Sequence, residues 1–141
     1  MKKYFKLTAV LLALCLSFSS CEDKVNDVDA IIGKWQIFEL IEETADGVRT
    51  VYNINTIGDD TSFACEFETL FEFRSNGEFV HTRMCGDGNT FTTTWQRDGN
   101  RLLFNNVNNL VIISLTDTEL KVEDVNLVEE GERYIMRLRR L

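Results

Sequence analysis

The stretch CEFETLFEFRSNGEFVHTRMC, from Cys65 to Cys85, constrains this chain more than any other. Phe67, Phe71 and Phe73 fall on alternate positions, Asn76-Gly77 interrupts them, and Phe79 opens a second extended segment. Alternation at period two followed by Asn-Gly predicts a β-hairpin, here with a cysteine at the outer end of each arm. Closing the loop between Arg74 and Glu78 sets Phe73 opposite Phe79. It also turns Phe67, Phe71, Phe73 and Phe79 to the interior and puts Cys65 and Cys85 on one face. A two-residue loop would place the cysteines on opposite faces, where a bridge is geometrically poor.

The same punctuation recurs along the chain. IIGKWQIFELIEE predicts a strand from Ile32 to Glu43, with Trp35, Ile37 and Ile41 on one face and Phe38 and Leu40 on the other. Asp46-Gly47 turns it into VRTVYNINTI, and Gly58 to Ser62 reads as a loop. After Cys85, FTTTWQRD, RLLFNN, NNLVIISLT, ELKVEDVNLV and RYIMRLRR follow, separated by turn residues such as Asp98-Gly99, Thr116-Asp117-Thr118 and Glu130-Gly131. Eight or nine short strands spaced by about 8–12 residues, with no helical pattern, predict an all-β sandwich or barrel in one domain.

The first 20 residues read differently. Lys2, Lys3 and Lys6 precede an apolar run from Leu7 to Leu16, which is too short to span a membrane and has the flanks of a signal peptide. Phe18-Ser19-Ser20-Cys21 resembles a bacterial lipobox, with Phe18 in the place usually held by leucine. That resemblance implies a diacylated Cys21 at the mature N-terminus, anchored to a membrane, and residues 21–30 as a polar tether. Glu22-Asp23 resembles the acidic export tag that sends some Gram-negative lipoproteins to the outer surface, and the expected location is the outer membrane, at its periplasmic face or on the cell surface. With Cys15 lost and Cys21 lipidated, Cys65 and Cys85 remain in an oxidising compartment, where an even pair reads as a disulfide. Cleavage lowers Lys+Arg from 15 to 12 against 23 Asp+Glu, a formal charge of −11. Such a surface repels nucleic acid and anionic lipid headgroups.

At Gly33-Lys34-Trp35 the chain resembles the lipocalins, whose signature is a Gly-x-Trp on the first strand. The rest is similar to small lipocalin-like lipoproteins of Gram-negative bacteria. The matching segments are Phe71 to Phe79, Trp95 followed by Asp98-Gly99-Asn100 and Leu102 to Phe104, and Leu115 to Leu120. The resemblance covers residues 31–141. It implies a single antiparallel up-and-down β-barrel of about eight strands, closed near Trp35, with Arg140 lying over the indole.

Catalytic chemistry finds little support. His81 is the sole histidine and has no nucleophile grouped with it in sequence. No Cys/His spacing suits a metal once Cys65 and Cys85 pair, and Asp59-Asp60 and Asp87-Gly88-Asn89 read as turns rather than calcium ligands. No cofactor is implied. Phe71, Phe73, Phe79, Trp95, Phe104 and Tyr134 can line a ligand pocket or fill a small core, and an interior this tight favours filling. Two non-enzymatic functions follow. One is an anchored barrel that binds a small apolar or amphipathic ligand in or at its mouth. The other is a solid barrel whose loops contact an envelope protein or glycan.

Overall fold

The computed structural model describes residues 30–55, 61–86, 88–126 and 129–141. The expected signal peptide (1–20), Cys21 and most of the 21–30 tether lie outside these residues. Nine strands are formed among the described residues: β1 (Gly33–Glu43), β2 (Arg49–Asn53), β3 (Leu70–Phe73), β4 (Glu78–Thr82), β5 (Thr90–Asp98), β6 (Arg101–Phe104), β7 (Val107–Leu115), β8 (Glu119–Asp124) and β9 (Arg133–Arg140). All pair antiparallel, and β9 returns to β1. Eight strands thereby close into an up-and-down barrel, and β2 is an extra strand beside β1.

The hairpin at the centre of the sequence has the expected register. Phe73 opposes Phe79, and the Arg74 and Gly77 amides close the loop onto Glu78 O at 2.9 Å and Arg74 O at 3.1 Å. Gly77 takes φ 83°, a conformation that glycine adopts without steric cost. The outer arms differ from expectation. Residues Thr61–Phe67 form a short helix, α1, so Cys65 and Phe67 are not part of a strand. The cause lies in β1. Its edge serves β3 only from Gly33 to Gln36, and from Glu39 to Glu43 the same edge is taken by β2. A chain preceding Leu70 therefore has no edge to extend along, and a helical turn satisfies its backbone groups internally. Phe67 is still buried, and its carbonyl accepts a 3.0 Å bond from Gln36 Nε2.

A bulge at Phe38 corrects the faces expected for β1, because the pairing with β9 skips from Ile37 to Glu39. Parity reverses there, so Leu40 joins the core while Ile41 meets Ile135 on the opposite face. Further bulges on β7, at Asn109 and Ile113, help the sheet curve closed.

The closed end is built on Trp35, which is fully buried and donates from Nε1 to Ile31 O at 2.8 Å. The Arg140 guanidinium stacks 4.2 Å above its ring. It also donates to Ile32 O and Asp117 O, each at 2.7 Å, and to Ala30 O. One side chain thus ties the start of the barrel to its last strand and to the β7–β8 turn. Gly33 makes room for it: its φ is 140°, and a Cβ there would stand 2.5 Å from Arg140 Nη1.

Candidate functional site

The interior divides by height. In the lower half, next to Trp35, the side chains interlock. Phe73 is 1% exposed, its ring edge-on to Trp95 at 5.1 Å, and Trp95 Nε1 donates to Arg74 O at 3.0 Å. Phe73 and Trp95, expected on the pocket, are therefore core residues beneath it. Phe71, Phe79, Phe104 and Tyr134 do line a cavity of about 420 Å³ in the upper half, open at the end opposite Trp35. The filled interior that the tight barrel favoured is realised only in its lower half.

The cavity floor is apolar, with Ile37, Leu110 and Met136 joining the three phenylalanines. Phe71 meets Phe79 at 5.4 Å and Phe79 meets Phe104 at 4.5 Å, both tilted, so the rings form a continuous wall. The upper wall is polar: Glu66, His81, Arg83, Thr93, Asn109, Asp124 and Tyr134. A neighbouring depression of about 290 Å³ shares His81, Arg83 and Phe91 and adds Asn89.

Each polar group has a structural origin. His81 follows the parity of Phe79, faces the cavity, and lies edge-on to Phe71 at 5.1 Å. Burial first, and then the Arg83 charge, lower its pKa, so its ring is neutral at neutral pH. Asn109 is a bulge residue of β7. Its Oδ1 and the Thr93 hydroxyl are buried with no hydrogen-bond partner among the described residues. The Tyr134 phenol is pushed up to about 12, by burial first and then by the nearby Glu66, Glu42 and Asp124 carboxylates. It remains a protonated hydrogen-bond donor at physiological pH.

Helix α1 completes the wall. Above the β3–β4 hairpin, which ends at the pair Leu70 and Thr82, no strand among the described residues joins β2 to β4. α1 stands in that interval, tied to β1 through Gln36, to Arg83 by a 3.0 Å ion pair with Glu66, and to the β4–β5 loop by the Cys65–Cys85 disulfide, Cα–Cα 5.3 Å. The bridge spans helix and loop rather than the two arms of a hairpin. Among the described residues no three His, Cys, Asp or Glu side chains cluster to hold a metal.

Sequence reasoning missed Glu66, His81, Arg83, Phe91, Thr93 and Asn109 on this surface. Strand parity alone could have found His81 and Thr93, because they alternate with Phe79 and Trp95.

Residues 31–122 match a family model described as a lipocalin-like domain. No curated protein matches the chain. Among solved structures, a DUF4847 family protein from Bacteroides vulgatus is similar at 16% identity and TM-score 0.50, covering 79% of this chain and 95% of that one. A lipocalin-like protein from Bacteroides uniformis is similar at 16% identity and TM-score 0.46, covering 79% and 99%. Bovine odorant binding protein, solved in complex with a selenium-containing odorant, shows 14% identity and TM-score 0.45, covering 81% and 72%.

Proposed function

The chain belongs to the lipocalin-like domain family, a barrel fold that commonly binds small hydrophobic ligands, and on that premise we propose that it holds a small amphipathic molecule in its open-end cavity. The carrying observation is the cavity itself: about 420 Å³, floored by phenylalanines and rimmed by polar groups. That volume falls in the range of about 300–1,000 Å³ typical of ligand sites. Its presence supports the binding reading over the solid interaction module. The reading is one of binding, as is typical of the fold of this family.

The test uses N-phenyl-1-naphthylamine, an uncharged probe that fluoresces in apolar surroundings. The wild-type protein should enhance its emission saturably. Thr93→Phe should weaken that binding at least about tenfold while the far-ultraviolet circular dichroism is unchanged, because a ring then enters the cavity and the lost hydroxyl had no partner. A wild-type protein that leaves the probe dark, or a variant that binds it equally well, defeats the proposal.

We propose further that Cys21 carries lipid and anchors the protein to the outer membrane. The support is the charged start, apolar run and Ser-Ser before Cys21. Ala30 lies at the closed end, bound by Arg140, and the residues from Cys21 to it reach at most about 30 Å. An anchored barrel would thus be held by its closed end, with its mouth at the opposite pole. Intact mass of detergent-extracted protein should show a diacylglyceryl addition on a chain starting at Cys21. An unmodified, soluble product would rule this out.

A further inference from the structure

The cavity mouth carries a row of side chains set across three strands. Tyr134 on β9 stands directly opposite Glu42 on β1 and Asp124 on β8, so the phenol sits between two carboxylate-bearing residues on one face. Tyr52 donates to Glu42 at 3.2 Å and holds it in place. Glu66 reaches the same mouth from α1. Among the described residues lining the cavity, Arg83 is the one permanent cation, and it is already paired with Glu66 at 3.0 Å.

The balance of charge around the opening is therefore negative. The same Glu66, Glu42 and Asp124 carboxylates lie close enough to Tyr134 to add to the rise that burial gives its pKa. The floor below is apolar and offers nothing to a charged head. A ligand seated with its tail on the phenylalanines must leave its head beside Tyr134, where a second negative charge is repelled and a positive one attracted.

We infer that this mouth selects amphiphiles by head-group charge, accepting a protonated amine above an apolar tail and turning away carboxylates and phosphates. The inference rests on the cavity reading above and assigns the chemical class that the cavity takes.

Three probes of one tail length separate the two ideas: decylamine, 1-decanol and decanoate, each displacing N-phenyl-1-naphthylamine at about pH 7 and low ionic strength. Decylamine should bind at least about tenfold tighter than decanoate, a difference of about 1.4 kcal/mol, with decanol between them. In the Glu42→Gln, Asp124→Asn double variant the ratio of decylamine to decanoate affinity should fall from at least about tenfold towards one, each read relative to decanol in the same variant. Decanoate binding as tightly as decylamine, or the original order persisting in the double variant, overturns the charge selection. Decanol binding with a flat order sinks only this inference. Failure of all three to bind removes the cavity reading and this inference with it.

Discussion

Phe73→Ala should cost about 3–5 kcal/mol of unfolding free energy, the range for deleting a fully buried phenylalanine. The ring is 1% exposed and packs on Phe79 at 4.9 Å as well as edge-on to Trp95. Trp95 is held by its bond to Arg74 O, which limits how far the site can collapse. Phe104→Ala, in the same interior but on the cavity wall, should cost about half as much. One side of that ring already faces empty space, so fewer dispersion contacts are lost. Guanidinium denaturation of both variants gives the comparison. Equal losses would mean that the upper half packs as densely as the lower, and the cavity would lose its standing as a binding site.

The contrast between those two phenylalanines also marks how far the sequence could be read. The barrel was legible because its signals are local: alternation, Asn-Gly at the hairpin, turn residues at regular spacing, and Gly-x-Trp with a distant Arg140. Alternation assigns a side chain to a face of its strand but not to a height along the barrel. Phe71, Phe73 and Phe79 share the inward face, and only the packing shows that Phe73 is enclosed while Phe71 and Phe79 line the cavity. Bulges are equally hidden. Nothing in QIFELI marks Phe38 as the extra residue that moves Leu40 inward and Ile41 out. The helix at Thr61–Phe67 was illegible for a different reason. Cys65 and Phe67, in phase with Phe71 and Phe73, read as the outer arm of the hairpin, and what forbids a strand there is that β2 already occupies the edge of β1. That is a contest between segments distant in sequence, which no local window contains.

That helix makes the disulfide consequential. Seven residues are too few for a stable isolated helix, so α1 depends on what it is tied to. Gln36 Nε2 bonded to Phe67 O, the Thr69 hydroxyl bonded to Cys65 O at 3.0 Å, and the Arg83–Glu66 pair are each worth no more than about 1–3 kcal/mol. The Cys65–Cys85 bridge closes a separation of 20 residues. In the chain-entropy treatment, that constraint on the unfolded state stabilises the fold by about 3 kcal/mol. Replacing both cysteines by serine should therefore lower the thermal midpoint by about 10–15 °C. The barrel should survive, because none of its strand pairings involves Cys65 or Cys85. The cavity should respond more sharply, since Glu66 and Arg83 line it from the two segments that the bridge joins. Probe affinity in the double-serine protein should fall well below the melting transition, while far-ultraviolet circular dichroism stays that of the barrel. An unchanged midpoint would show that the bridge adds nothing to stability. A lowered midpoint with full probe affinity would show that the remaining contacts suffice to hold α1 as the cavity wall.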